Sequence, residues 1–184
     1  MAQETTIYGS IDRAILEQFA GIKLLACDVD GVFSDGRIYL GNQGEELKAF
    51  HTRDGYGIKA IQSIGIQVAV VTGRRSNIVE GRMQSLGVQH IEQGCEDKSE
   101  ALRHLQEKLS ISPVETASVG DDMPDLGMFA SSELRIAVAD AHPLVQAQAN
   151  YLTQMRGGFG AVREICDLIL HANNKLYDIY GSST

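Results

Sequence analysis

The chain has 184 residues, 43% of them hydrophobic, and a formal net charge of −8. That length suits one domain with a sizeable core, and the acidic balance has the wrong sign for a nucleic acid or an anionic membrane surface as partner. No apolar run approaches the roughly 20 residues of a membrane span, and Cys27, Cys95 and Cys166 are scattered without metal-ligand spacing, which fits a reducing, cytoplasmic setting.

The first stretch, MAQETTIYGSIDRAILEQF, reads as polar and helical, without the basic and apolar segments of a secretory signal. Ser10 is placed as an N-cap, and Ile11, Ile15 and Phe19 recur at helical spacing, so a helix is expected over 10–20. Residues 24–29 form the first buried strand. RIYLGNQGEELKAF reads as two short strands around Gly41-Asn42-Gln43-Gly44, a β-hairpin insertion over 36–50. RDGYGIKAIQSIG is a short helix that Gly65 stops, and IQVAVV a second buried strand. A helix over about 76–86 ends at Gly87, VQHIEQ is a third strand, and 98–109 a helix. TASVG and LRIAVA are the fourth and fifth strands, and the turn RGGFG leads into a last helix from about 161 to 177. This alternation predicts an α/β fold over 1–184, a Rossmann-like parallel sheet with helices on both faces.

In open α/β sheets ligands bind past the carboxyl ends of the strands. Strand one ends in Asp28 and Asp30, strand two in Thr72-Gly73-Arg74, and strand four in Gly120-Asp121-Asp122 with Asp125 nearby; Lys98 opens the helix after strand three. Each has a plain structural reading on its own: an Asp as N-cap, Thr-Gly as a turn, a helix-start Lys as solvated surface. Together they place carboxylates, a hydroxyl and an ammonium on one rim. Clustered carboxylates repel unless a cation sits among them, and an oxygen-only set without His or Cys suits Mg²⁺, which recruits substrate phosphate. A carboxylate attacking a phosphate dianion faces roughly 4 kcal/mol of repulsion per charge pair near 4 Å. Mg²⁺ and Lys98 oppose it with three positive charges, and Thr72 adds a hydrogen bond to a phosphoryl oxygen. One of Asp28 and Asp30 then attacks while the other handles a proton. Cys27 is not a nucleophile on this reading, because the phosphate loop of tyrosine phosphatases needs an Arg where this chain has Phe33; it reads as a buried strand cysteine.

DVDGV, VVTGR, Lys98 and GDDMPD, in that order, resemble the four motifs of the haloacid dehalogenase superfamily of phosphatases. The resemblance implies that Asp28 is the nucleophile and forms an aspartyl-phosphate. It implies that Asp30 protonates the leaving oxygen and then takes a proton from water, and that Thr72 and Lys98 are catalytic. Mg²⁺ would be held by Asp28, the Asp30 carbonyl and Asp121, with Asp125 or Asp122 in support. The superfamily's cap domain has no room here: one helix and one strand separate Thr72 from Lys98, and one hairpin and one helix separate Asp30 from Ile66. An uncapped cleft suits a macromolecular substrate unless a neighbouring subunit supplies the lid.

Closer stretches decide for the second. DGVFSDG, FHTRDGYGIK, GRRSNIVEGR and GGFGAVREI resemble the 3-deoxy-D-manno-octulosonate 8-phosphate phosphatases of Gram-negative lipopolysaccharide synthesis, over nearly the whole chain after residue 20. Ser34 stands where that family more often has Thr and keeps the hydroxyl. The resemblance implies a small anionic sugar-phosphate substrate, bound by Asp30, His51, Thr52, Arg53, Asp54, Gly55, Lys59, Arg74, Arg82 and Lys98. It also implies a homotetramer whose subunits close one another's sites. The three glycines of MRGGFGAVREI then let a C-terminal gate, part of a gate and helix over 155–177, swing and bring Arg156 or Arg163 to the substrate. The plain readings are solvated surface for the Arg and Lys residues, an edge-strand position for His51, and a glycine turn before a docked helix for the gate. A neighbouring alternative is a phosphatase of another nonulosonate 9-phosphate, N-acylneuraminate or KDN. A non-enzymatic receiver module is the remote one; receivers place the acidic pair first and the phosphorylated Asp on a later strand, the reverse of the order here.

Overall fold

A stretch of apolar residues long enough for one strand, Leu24 to Cys27, lies at the centre of the molecule with every side chain buried. In the computed structural model, which describes residues 2–178, the chain runs in the order β1 (Gln3–Thr6), β2 (Gly9–Asp12), α1 (Arg13–Gly21), β3 (Leu24–Cys27), β4 (Tyr39–Leu40), β5 (Glu46–Leu47), α2 (Thr52–Ser63), β6 (Gln67–Thr72), α3 (Asn77–Ser85), β7 (His90–Gln93), α4 (Lys98–Leu109), β8 (Thr116–Gly120), α5 (Leu126–Phe129), β9 (Leu134–Ala137), α6 (Pro143–Gln146), β10 (Tyr151–Leu152) and α7 (Ala161–Ala172). Six strands form one sheet in the order β10-β9-β8-β3-β6-β7, parallel throughout.

Because strand side chains alternate, β3 feeds two cores. Leu25 and Cys27 pack with Phe19 of α1, Ile58 and Ile61 of α2 and Ile165 and Ile169 of α7. Leu24 and Ala26 pack on the opposite face with Leu102 and Leu105 of α4 and Met128 of α5. Burial on both faces is why the parallel strands read as unbroken apolar runs rather than as alternating ones. The predicted parallel sheet with helices on both faces and an inserted hairpin is therefore the observed architecture.

Three local expectations change. The helix expected over 10–20 starts only at Arg13, where the Asp12 side chain accepts the Ala14 N–H. Ser10 is not its cap but a strand residue paired with Thr5 in the antiparallel β1–β2 hairpin. These strands are short, polar and largely exposed, so no hydrophobic period announces them. The last helix stops at Ala172 rather than near 177. The edge strand β10, two residues long, carried no signal.

The first strand also ends earlier than expected, and this shapes the site. The Val29 carbonyl accepts the N–H groups of Val32, Phe33 and Ser34. The chain thus leaves the sheet in a tight turn at Asp28, with Gly31 at φ +96°, a value that favours glycine.

Candidate active site

The register aligns Cys27 with Val70 on one side and Val119 on the other. Asp28, Thr72 at the end of β6 and Asp121 just past β8 therefore emerge along one edge. They line a cleft of about 460 Å³ with Asp30, Arg74, Lys98, Asp122 and Asp125; Gly36, Gly73, Cys95, Glu96 and Pro124 complete its wall. A larger cavity of about 590 Å³, between the β4–β5 hairpin and the start of α3, has Glu45, Glu46, Glu80 and Arg75 in its wall but none of these motif residues.

Lys98 is the first residue of α4, held there by the Asp97 side chain, which accepts the N–H groups of Ser99 and Glu100. Its buried ammonium donates to Asp28 Oδ1 at 2.6 Å and to Asp125 Oδ1 at 2.7 Å. The other Asp125 oxygen accepts the backbone N–H groups of Asp121 at 2.8 Å and Asp122 at 3.2 Å. Asp125 is thus a bracket with both oxygens engaged, and Asp28 keeps one oxygen clear of Lys98. Two glycines make the space: a Cβ on Gly31 would lie 2.1 Å from Asp121 Oδ2, and one on Gly120 2.3 Å from the Asp125 Cβ.

Asp28, Asp121 and Asp125 each bring a carboxylate oxygen within 4.8 Å of the others. Burial, then the Asp125 charge, pushes the Asp28 carboxyl up to about 6 against the pull of Lys98. Burial, then Asp28, Asp125 and Asp122, pushes Asp121 up to about 8. One ammonium does not balance this much negative charge, and a hard divalent cation among the oxygens relieves it.

Asp30 stands at the cleft mouth. Its Oδ1 accepts from Lys48 Nζ and from Ser34 Oγ at 3.3 Å, and its Oδ2 lies 3.8 Å from Arg74 Nε. Arg74 also reaches Glu46 at 3.5 Å. Nothing in the spacing of RIYLGNQGEELKAF sets Lys48 apart from a solvated hairpin lysine, and sequence reasoning missed it.

The structure therefore brings Asp28, Asp30, Thr72, Arg74, Lys98 and Asp121 to one cleft, while the remaining expected substrate contacts lie outside the cleft wall of this chain. His51 is the N-cap of α2, its Nδ1 accepting the Arg53 N–H at 3.1 Å, rather than an edge-strand residue. Thr52 and Arg53 are exposed on the first turn of α2, and Gly55 is buried behind them. Asp54 is buried and accepts the Arg163 N–H at 2.8 Å, and burial pushes its carboxyl up to about 6. Lys59 and Arg82 are half-buried on α2 and α3.

Arg163 pairs with Asp167 at 2.7 Å and covers the Tyr56 ring, while Arg156 pairs with Asp140 at 3.0 Å. The glycines between them serve a close approach. A Cβ on Gly157 would lie 1.6 Å from the Gly31 carbonyl oxygen, and the Gly158 N–H donates to the Val32 carbonyl at 2.9 Å. This segment is docked on the turn that carries Asp30.

Residues 91–165 match the family described as haloacid dehalogenase-like hydrolase. The sequence is 50% identical to a 3-deoxy-D-manno-octulosonate 8-phosphate phosphatase of Yersinia pestis over 178 residues, 97% of this chain and 95% of the relative. It is 48% identical to that of Escherichia coli K12 over 182 residues, 99% and 97% of the two chains. The crystal structure of the Yersinia pestis phosphatase is similar with a TM-score of 0.93 at 50% identity, over 95% of each chain. That of the Moraxella catarrhalis phosphatase, in complex with magnesium ion, phosphate ion and KDO, is similar with a TM-score of 0.88 at 42% identity, over 90% of this chain and 95% of that one. A cobalt-bound form of the Haemophilus influenzae phosphatase gives 0.84 at 38% identity, over 88% and 96%.

Proposed function

The chain belongs to the 3-deoxy-D-manno-octulosonate 8-phosphate phosphatases, a family of haloacid dehalogenase-like hydrolases, and we propose that it cleaves that sugar phosphate to the free sugar acid and inorganic phosphate in the cytoplasm, supplying a lipopolysaccharide precursor. The observation that carries this reading is the buried Asp28–Lys98–Asp125 bridge beside Asp121 at the carboxyl edge of the sheet.

Asp28 attacks phosphorus with the oxygen that Lys98 leaves free. As the new P–O bond forms, the bond to the sugar oxygen breaks, and Asp30 gives that oxygen its proton. Asp30, now ionised, takes a proton from water; the water oxygen bonds to phosphorus, the acyl-phosphate bond breaks, and phosphate leaves with Asp28 restored. Lys98 offsets charge on the phosphoryl oxygens, and Thr72 donates a hydrogen bond to one of them. Arg74, exposed at the cleft mouth, forks onto anionic or hydroxyl oxygens of the sugar acid.

The oxygen donors fit magnesium: Asp28, the Asp30 carbonyl and Asp121 would hold it, with Asp125 keeping Asp121 in place through its backbone N–H. When bound, the ion neutralises phosphoryl charge that the single lysine does not. Phosphate release from a panel of sugar phosphates, with and without EDTA, tests both substrate and metal. The expected result is the highest kcat/KM for 3-deoxy-D-manno-octulosonate 8-phosphate, loss of activity on chelation, and its return with Mg²⁺. Preference for N-acylneuraminate 9-phosphate would reassign the substrate, and activity surviving exhaustive chelation would remove the metal.

The substrate also needs a lid. His51, Thr52, Arg53, Lys59 and Arg82 complete the site from neighbouring subunits of a homotetramer in this reading, while Asp54 and Gly55, buried within their own chain, shape the turn that presents them. Supporting it, Ile38, Tyr39, Leu40 and Leu47 are exposed together on the small β4–β5 hairpin and have apolar surface to bury. Light scattering should give a tetramer. Cutting the hairpin back to a short turn should cost sugar-phosphate turnover more than tenfold, with a smaller loss for p-nitrophenyl phosphate, a small aryl phosphate with a good leaving group. A fully active monomer would refute the shared lid and leave the Asp28 chemistry standing.

A further inference from the structure

The β4–β5 hairpin reaches the chemistry itself: we infer that it delivers Lys48 to the cleft as the positioning residue for Asp30. The inference rests on the acid–base role proposed above for Asp30.

Leu47 and Lys48 are consecutive, so they point to opposite faces of the extended chain. Leu47 is 67% exposed, whereas the Lys48 side chain is 1% exposed. An ammonium is costly to bury unless it is paired. Here the pairing is with Asp30 Oδ1, and Glu46 Oε1 lies 4.0 Å away. Across the cleft mouth Arg74 approaches the same two carboxylates, Asp30 at 3.8 Å and Glu46 at 3.5 Å. Two cations and two anions thus alternate around the cleft mouth, and Asp30 is the member that belongs to the Asp28 turn.

The consequence follows from reach. A general acid works only from within hydrogen-bonding distance of the oxygen it protonates, and a misplacement of about 1 Å can cost about a hundredfold. Asp30 sits on an exposed-side turn with one weak hydroxyl contact, Ser34 at 3.3 Å, besides the cations. Without Lys48 its carboxylate is free to swing toward Arg74. Lys48 touches Asp30 rather than the reacting atoms, so its effect is confined to the proton-transfer geometry. A lysine that only anchored the hairpin would affect two small aryl phosphates of the same shape alike.

Phenyl phosphate and p-nitrophenyl phosphate separate the two roles. They have nearly the same shape, but only the phenolate of the first needs a proton as the P–O bond breaks. Their kcat/KM values report the steps up to phosphoenzyme formation, before the common hydrolysis. In Lys48→Met, kcat/KM for phenyl phosphate should fall by about tenfold or more and that for p-nitrophenyl phosphate by less than about threefold, with Lys48→Arg restoring most of the first. Equal losses on both substrates, or none, would overturn the assignment. Asp30→Asn provides the reference. If it discriminates between the two esters and Lys48→Met does not, the positioning role alone fails; if it does not discriminate, the acid role of Asp30 fails and the inference with it.

Discussion

Asp28→Asn is expected to lose at least about 10⁴-fold of phosphatase turnover while folding as well as the parent chain. An amide cannot form the acyl phosphate, so the covalent route closes. The fold should not suffer, because the native carboxylate is itself a burden. It is 6% exposed, and burial followed by the Asp125 charge pushes its carboxyl up to about 6. Asn removes a buried charge, and Lys98 retains Asp125 at 2.7 Å. In EDTA at pH 8 the variant should therefore melt at or above the temperature of the parent. Phosphate release and thermal melting on the same preparation check both halves. Near-normal turnover would place the nucleophile elsewhere, and a collapsed melting curve would show that the lost activity reports folding.

Lys98→Met should damage both activity and stability. Turnover should fall by about 10²–10³-fold, the scale seen when one preorganised charge or donor is removed from a developing anion. Two buried carboxylates, Asp28 and Asp125, would then face each other without their shared ammonium, and breaking a buried pair this way costs about 3–5 kcal/mol. The sign of the pH dependence follows from the raised Asp28 carboxyl. An acid whose folded value lies above its unfolded one near 4 binds more protons in the native state. The stability it contributes is present below pH 4 and is lost as the pH rises through the folded value, which the variant raises further. The penalty relative to the parent should accordingly be small at pH 5 and full at pH 8. Urea denaturation at the two values, in EDTA, measures it, and a penalty of equal size at both would sink the buried-pair account.

What the sequence alone determined was the floor of the site. Asp28, Thr72, Lys98 and Asp121 were legible because a strand buried on both faces declares itself as an apolar run, and parallel topology puts whatever follows such runs on one edge. The resemblance to four motifs then suggested roles for places already found. Tertiary structure decided what depends on contacts between distant segments. Ser10 went to a polar hairpin whose pairing with Thr5 leaves no periodic trace. Asp125, expected only in support of a metal, has both oxygens taken by Lys98 and two backbone N–H groups. Gly157 and Gly158, which suggest a swinging segment when read along the chain, are the residues small enough to lie against the Asp30 turn. Lys48 acquired its place only when the hairpin folded back 18 residues onto Asp30, because a lysine just past a short strand has no local feature that separates solvation from burial. His51, Arg53, Lys59 and Arg82 show the same division: resemblance nominated them for the substrate, but the segments that carry them leave them outside the cleft of a single chain, a separation that only the packing of α2 and α3 fixes.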